Sequence, residues 1–247
     1  MFDGHFYFFV LVGFIAQLVD GALGMAYGVI SNSLLLAAGM PPAVASASVH
    51  AAEIVTTGVS GLSHHTFGNV DRTLLKRLAI PGVIGAAAGA YALASAPGGA
   101  IKPVIALYLL SMGLLILWKT FRRVGQSRPV RHVSVLGLAG GFCDAIGGGG
   151  WGPVVTSTLV ARGHDPRISI GSVNLAEWFV TVSASVVFVL TIGLTGWPTI
   201  LALIIGGVIA APMAALTTRI IPTRPLMGLV GVLIVVTSLR TIIQAWF

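Results

Sequence analysis

The chain has 247 residues, of which 56% are hydrophobic and only 9% are charged. Soluble domains carry roughly 25% charged residues, so this composition excludes an ordinary soluble protein and indicates a protein of the lipid bilayer. The net charge of +7 does not indicate a nucleic-acid partner, because most of the basic residues lie between apolar runs. The single cysteine, Cys143, excludes an intrachain disulfide.

Ten apolar runs follow one another along the chain. Five lie at about 5–19, 22–38, 43–63, 78–96 and 100–119, and five more at about 132–146, 149–161, 168–192, 197–218 and 225–246. Because a spanning helix needs about 20 apolar residues, we predict an all-α polytopic membrane protein with about eight to ten membrane segments. The first two runs of each set are short, which predicts broken or re-entrant helices. No basic residues precede the first run, so we expect a membrane segment there and not a removable signal peptide.

The two sets of runs resemble each other in sequence. A shift of 124 residues aligns Asp20 with Asp144 and Glu53 with Glu177, among fourteen identities between positions 13 and 57 and their counterparts. Composition alone does not explain so many matches, two of them membrane carboxylates. We therefore predict an internal duplication, with a first repeat at 1–124 and a second at 125–247 in one membrane domain.

The basic residues predict the orientation of the chain. With the N-terminus outside and an odd number of crossings in each repeat, most basic residues fall on one side of the membrane. They are Arg72, Lys76, Arg77, Lys119, Arg122, Arg123, Arg128, Arg131, Arg162, Arg167, Arg219 and Arg224, against Lys102 and Arg240 on the other. This asymmetry is typical of cytoplasmic loops, so both termini are expected to face the periplasm or exterior. The repeats are then inverted, as in many secondary transporters.

Four carboxylates lie in or at the edge of the apolar runs as two repeat-related pairs. They are Asp20, Glu53, Asp144 and Glu177. Ionisable residues at membrane depth are costly and default to an ion pathway, a proton relay or a buried pair. We predict that the four couple protons or ions. Two neutral carboxyls bonded across the repeat axis are the structural alternative.

Glu53 belongs to a polar helix face. The face comprises Ser46, His50, Glu53, Thr57 and Ser60, and its counterpart comprises Ile170, Asn174, Glu177, Thr181 and Ala184. His50 and Glu53 are one turn apart and could pass a proton. They could bind a metal with help from elsewhere, but two ligands are a weak signal, so we predict neither a metal nor a cofactor. A packing seam with hydroxyl groups explains much of this face equally well.

Glycines interrupt the chain at two corresponding places, "DGALGMAYGV" from Asp20 and "DAIGGGGWGP" from Asp144. Glycine permits positive φ, so consecutive N–H groups can converge on an anion beside the start of the next helix. The predicted substrate-binding residues are Gly24, Met25, Ala26, Tyr27, Gly148, Gly149, Gly150 and Trp151, with Ser48, Ser172, His50 and Asn174. Close helix packing is the alternative, and we predict that role for Gly85, Gly89, Gly206 and Gly207.

The stretches "VDGALGMAYG", "SASVHAAE", "HHTFGNVD", "DAIGGGGWGPVV" and "GSVNLAEWFV" together resemble the TauE/SafE sulfite exporter family. The resemblance covers about residues 13 to 215. It implies export of sulfite or a small organosulfonate across a bacterial inner membrane, with the small sulfur-containing anion and the bilayer as partners. His50 opposite Asn174 leaves open whether the two halves act alike.

Three functions follow from these observations. We favour an exporter of a small sulfur oxyanion or sulfonate, with or without proton coupling. A proton- or sodium-coupled cation carrier that uses the four carboxylates is the alternative. An intramembrane enzyme is disfavoured, because no Ser–His or multi-histidine set has usable spacing. The sequence leaves open which anion is carried and whether the protein forms a homodimer.

Overall fold

The structure, a computed structural model, describes residues 4–121, 130–217 and 223–246. These residues form ten α-helices and one π-helical turn. In chain order they are α1 (Gly4–Leu23), α2 (Tyr27–Ala37), α3 (Pro42–Thr66), α4 (Arg72–Ser95), α5 (Gly98–Phe121), α6 (Val133–Gly147), the π-helical turn (Gly152–Thr156), α7 (Ser157–Ala161), α8 (Pro166–Thr191), α9 (Trp197–Thr217) and α10 (Thr223–Trp246). The predicted all-α polytopic fold class is confirmed.

The helices of the described residues differ widely in length. Four helical stretches are long and apolar enough to cross a bilayer, at Arg72–Ser95, Ala100–Phe121, Pro166–Thr191 and Met227–Gln244. By contrast, α2 has 11 residues, and the π-helical turn and α7 form one segment, Gly152–Ala161. At 1.5 Å per residue these two are about 15–17 Å long, half the thickness of the hydrocarbon core. The short helices predicted for the second run of each set are therefore present, and α6 is short as well, with 15 residues, whereas α1 has 20.

The helices pack in pairs across the two halves of the chain. α1 packs against α9, α4 against α6, α5 against α10, and α3 against α8. Under a shift of 124 residues α1 corresponds to α6 and α4 to α9, so the first two pairs are counterparts. The division into repeats at 1–124 and 125–247 stays a prediction, and its boundary lies outside the described residues.

Glycines allow several of these helices to approach closely. A Cβ on Gly137 would lie 2.7 Å from the carbonyl oxygen of Leu78, and one on Gly13 would meet the carbonyl of Leu203 still closer. Small residues at membrane helix interfaces commonly serve this purpose. The same crowding confirms the packing role predicted for Gly85, Gly89, Gly206 and Gly207.

The outer surface of the helices is apolar. Leu107 on α5, Leu190 on α8 and Leu229 on α10 are each more than half exposed. Such a surface is unfavourable in water but suits contact with acyl chains. The polar side chains are instead concentrated inside, many of them on α3 and α8.

Candidate functional site at the paired helix breaks

The first break comprises residues 24–26, between α1 and α2. The chain turns through Gly24 at φ 65° and Ala26 at φ 124°. Oδ1 of Asp20, the last turn of α1, accepts a hydrogen bond from the N–H of Tyr27 at 3.3 Å. A non-glycine residue at positive φ costs about 1–3 kcal/mol, so the surrounding structure holds Ala26 in a strained conformation.

The second break comprises residues 148–150, between α6 and the helical segment that contains Gly152. Gly148 has φ 64°, the value found at its counterpart Gly24 within one degree, and Gly149 has φ 149°. Oδ1 of Asp144 accepts a hydrogen bond from the N–H of Trp151 at 3.0 Å. Each break therefore begins with a carboxylate that caps the first amide of the following helix, an arrangement that stabilises helix starts.

The two breaks lie against each other. A Cβ on Gly28 would be 2.7 Å from the Cα of Gly149, and a Cβ on Gly152 would be 2.6 Å from the Cα of Met25. A shift of 124 residues relates Gly28 to Gly152 and Met25 to Gly149, so these are counterpart contacts. The structure thus brings together the predicted residues of both breaks.

Close packing accounts for the glycine run of the second break. A Cβ on Gly147 or Gly150 would collide with Tyr108, whose hydroxyl donates to the carbonyl of Gly149 at 3.0 Å. A Cβ on Gly148 would collide with Asn32, whose amide donates to the carbonyl of Gly147. The packing alternative is therefore realised here, whatever else these glycines do.

Two cavities of the described structure lie away from the breaks. One of about 390 Å³ is lined by residues that include Arg77, His164 and Ser169, and one of about 370 Å³ by apolar residues that include Ile54 and Val186. Neither is lined by a residue of 24–26 or 148–150. In this conformation the breaks are closed on each other.

His50 connects α3 to the second break. Its Nε2 lies 3.2 Å from Oδ2 of Asp144, and its Nδ1 lies 2.8 Å from the carbonyl oxygen of Ser46. His50 and Asp144 are 0% and 1% exposed. The hydroxyl of Ser46 donates to the carbonyl of Ala145 at 2.8 Å, which fixes α3 against α6. The sequence suggested Glu53 as a residue that could exchange a proton with His50. In the structure Nε2 of His50 instead contacts Asp144, and an oxygen of Glu53 lies within 4.8 Å of the pair.

Glu53 presents an unpaired oxygen inside the protein. The residue is 1% exposed, and its Oε2 has no hydrogen-bond partner among the described residues. Its Oε1 lies beside Gly28, 3.1 Å from the position of a Cβ there. Because buried polar atoms are nearly always paired, this carboxyl beside the touching breaks is a candidate contact for a ligand. Glu177 lies within electrostatic range of Glu53, Asp20 and Asp144.

Asn174 does not reproduce the contact that His50 makes. Its Nδ2 donates to the hydroxyl of Ser60 at 2.9 Å, and its Oδ1 is buried without a partner among the described residues. The hydroxyl of Ser48 donates to the carbonyl of Val44, and that of Ser172 accepts from the N–H of Asp71. Ser48 and Ser172 thus bond to residues outside both breaks.

Three of the predicted residues have the spacing of a cation site. His50, Glu53 and Asp144 each offer one ligand atom, and these atoms lie within 4.8 Å of one another. The sequence groups only His50 and Glu53 as possible metal ligands, because Asp144 is more than 90 residues away along the chain. Histidine and carboxylate ligands suit several divalent metals, although the direct hydrogen bond between His50 and Asp144 uses two of the ligand atoms.

Sequence reasoning missed two residues at the second break, Asn32 and Tyr108. Asn32 could have been identified, because a side-chain amide in a short, largely apolar helix requires a hydrogen-bond partner. Tyr108 gave none, because a tyrosine in an apolar run is common at many depths of a membrane protein. Both contact the second break through backbone carbonyls.

Comparison with known proteins identifies the family of this chain. The family model described as "Sulfite exporter TauE/SafE" matches residues 9–241. The chain is also 46% identical over 248 residues to the "Probable membrane transporter protein YtnM" of Bacillus subtilis (strain 168), which covers 96% of this chain and 83% of that protein. No solved structure matches. The resemblance predicted from the sequence motifs is confirmed, and the chain belongs to the TauE/SafE family of membrane transporters.

Proposed function

We propose that this transporter exports sulfite or a small organosulfonate anion from the cytoplasm across the plasma membrane of a bacterium. The family description names a sulfite exporter, and the relative is a bacterial protein described as a probable membrane transporter. An inside-negative potential drives an anion outward by about 2.3 kcal/mol per charge per 100 mV. Export of a bare anion therefore needs no second energy source.

The contact between the two helix breaks is the observation that carries this proposal. Both breaks lie at the start of a short helix, where the helix dipole favours negative charge. In the closed conformation Asp20 and Asp144 already accept the first amides of these helices, those of Tyr27 and Trp151. Neither break contains a lysine or arginine. Such a site holds an oxyanion weakly enough for release. The residues proposed to bind it are Gly24, Met25, Ala26 and Tyr27 from the first break and Gly148, Gly149, Gly150 and Trp151 from the second.

Separation of the breaks is a required step of this proposal. Gly28 packs on Gly149 and Gly152 on Met25, so an anion reaches the amides only when the two halves move apart. We propose that the two halves are inverted repeats that rock around this contact, as in other transporters with paired broken helices. The asymmetry of basic residues supports termini on the outer side.

Neutral carboxyls complete the proposed site. Four ionised carboxylates and an anion cannot share a dry interior, because an unpaired buried charge is far too costly. We propose that Glu53 and Glu177 carry protons when the anion is bound. The unpaired Oε2 of Glu53 would then donate an O–H to an anion oxygen.

Ligand-dependent thermal stabilisation of the purified protein tests the substrate class. Sulfite, thiosulfate, sulfoacetate, taurine and sulfate would be compared at equal concentration, and at least one sulfur anion is expected to raise the unfolding temperature by mass action. Stabilisation by none of them would contradict the proposal.

Conservative variants test the role of the carboxyls. Glu53→Gln and Glu177→Gln keep the shape of the side chain but remove the exchangeable acidic proton, and we expect them to slow anion flux in liposomes at least about tenfold, within the usual range for coupled sites. Ser60→Ala is the matched control on the same helix face as Glu53 and should slow flux much less. Equal flux in all three variants would rule out a role for the carboxyls.

A coupled cation carrier is the second candidate. The mutual distances among the ligand atoms of His50, Glu53 and Asp144 favour it. Its test is sodium binding: sodium bound by the normal protein and lost in Glu53→Gln, with no stabilisation by sulfur anions, would support this candidate and overturn the first.

A further inference from the structure

We infer that the ammonium group of Lys119 is a loading site for the anion, on the cytoplasmic side of the second break. This inference rests on the proposed function and on the orientation proposed with it. It assigns a ligand contact to a residue that the sequence indicated only as one of the basic residues that set the orientation of the chain.

Lys119 bonds to the helical segment that follows the second break. Its Nζ donates to the carbonyl oxygen of Pro153 at 3.3 Å and also to the hydroxyl of Ser157. Lys119 lies two residues before the end of α5 at Phe121, and a lysine so near a helix end usually extends its ammonium group to the water at the membrane surface. Here the group instead bonds to the second residue of the segment Gly152–Ala161, so it is held beside the half-helix.

The π-helical turn explains why a lysine bonds at this place. In the turn the N–H of Ser157 donates to the carbonyl of Gly152, and not to that of Pro153 as it would in an α-helix. The carbonyl of Pro153 therefore lacks its usual helical donor, and it accepts from Lys119 and from the hydroxyl of Ser157. Single π-helical turns frequently mark functional sites in α-helices.

The ammonium group retains a donor for a ligand. It has three N–H groups, of which Pro153 and Ser157 take two. The third is uncommitted among the described residues, and Lys119 is only partly buried. Oxyanions form short, strong hydrogen bonds to charged donors, and lysine binds phosphate groups in this way as a point charge. The ligand class is therefore a small oxyanion, as the proposed function requires.

Lys119 lies between the second break and the cytoplasmic loop of the proposed orientation. Ser157 is six residues beyond Trp151, which is about 9 Å along the helical segment. The segment ends at Ala161, and Arg162 follows on the side that the basic residues mark as cytoplasmic. An anion that moves along this segment to the break passes the ammonium group, which raises the local concentration of the anion before the breaks separate.

Within the described residues, the first half has no such charge at the corresponding place. A shift of 124 residues relates Ser157 to Ser33 of α2 and Lys119 to Ile243 of α10. α10 packs against α2, but isoleucine offers no donor, and the hydroxyl oxygen of Ser33 is buried and finds no partner in that part of the chain. This place lies on the outer side in the proposed orientation, where a weaker hold on the anion favours release.

Uptake of labelled sulfite and sulfoacetate by membrane vesicles tests the inference. Inside-out vesicles present the cytoplasmic face of the protein, and right-side-out vesicles present the outer face. Lys119→Gln keeps a donor for the carbonyl of Pro153 but removes the charge. We expect KM at the cytoplasmic face to rise at least about tenfold, the usual effect of losing one charge-assisted hydrogen bond, while KM at the outer face and kcat change less than about twofold. Lys119→Arg keeps the charge, so its KM should stay within about threefold of normal at both faces.

Lys102→Gln is the matched control, because Lys102 lies at the opposite end of the same helix and should leave KM unchanged at both faces. Should Lys119→Gln fail to fold, the normal protein gives a second measurement. Higher salt should raise KM more at the cytoplasmic face than at the outer face, because ions screen the ammonium charge.

Equal effects at the two faces, in Lys119→Gln or in high salt, would overturn the inference, as would Lys119→Arg with the same defect as Lys119→Gln. In each of these cases the normal protein still transports sulfur anions, and the proposed function stands. Absence of uptake of either anion by the normal protein at both faces would instead overturn the proposed function.

Discussion

Asp20 accepts the N–H of Tyr27 over 3.3 Å at the first break, and Asp144 accepts the N–H of Trp151 over 3.0 Å at the second. Beyond this shared cap, the second break is the more elaborate. It adds His50 and three glycines in sequence, whereas the first break has Gly24, a methionine and the strained Ala26. Corresponding positions of two similar halves can therefore keep the same backbone turn and yet present different functional side chains.

Substitution of Gly149 should destabilise the protein far more than substitution of its counterpart, Met25. Gly149→Ala places a Cβ at φ 149° against the backbone of Gly28 and Val29. We expect a loss of at least about 3 kcal/mol in the free energy of unfolding, the range of severe backbone and packing defects. Met25→Ala shortens an existing side chain and should cost about 1 kcal/mol or less. Unfolding of both variants in mild detergent checks the difference, and equal losses would show that the breaks are not packed as described.

The next contrast removes each capping carboxylate. Asp144→Ala leaves the Trp151 amide and Nε2 of His50 without their buried partner, so we expect a loss of about 3 kcal/mol. Asp20→Ala removes one helix cap and should cost about 1 kcal/mol. The same unfolding measurement applies, with Asp144→Asn as the control that keeps the cap. A greater loss for Asp20→Ala would contradict the assignment of the second break as the more tightly coupled.

The smallest contrast concerns the two aromatic residues that start the short helices. Trp151 is fully buried and donates from Nε1 to the carbonyl of Val173 at 3.1 Å, so Trp151→Phe should cost about 2 to 3 kcal/mol through a lost bond and a cavity. Tyr27 donates to the carbonyl of Leu203 over a longer 3.4 Å, and Tyr27→Phe should cost about 1 kcal/mol or less. Thermal unfolding of the two variants separates them, and the ranking fails if Tyr27→Phe is the less stable.

Much of the fold was predictable because the bilayer imposes simple rules on a sequence. Apolar runs with glycine, proline or charge between them predict the helices, with ends that agree to within about six residues. The short apolar runs predict α2 and the helical segment that contains Gly152. The repeated glycine motifs predict the two breaks. α3 was predictable as a helix from its polar face, although that face makes it too polar to count among the clear spans.

The sequence predicts which residues belong to the site but not which of them contact each other. Asp144, His50 and Glu53 were all candidates, but contact between His50 and Asp144 depends on how α3 packs against α6, and helix packing leaves little trace in one sequence. The caps on Tyr27 and Trp151 were missed for a different reason. The carboxylates lie seven residues before the amides that they bind, and only the backbone turn at each break brings them together.

The export of sulfur anions can be measured as sulfite efflux from liposomes that contain the purified protein. An inside-negative potential would be imposed by a potassium gradient, with protein-free liposomes as the control. Our account predicts efflux that the potential accelerates and that Glu53→Gln suppresses. Efflux no faster than from protein-free liposomes, for sulfite and for the sulfonates alike, would contradict it.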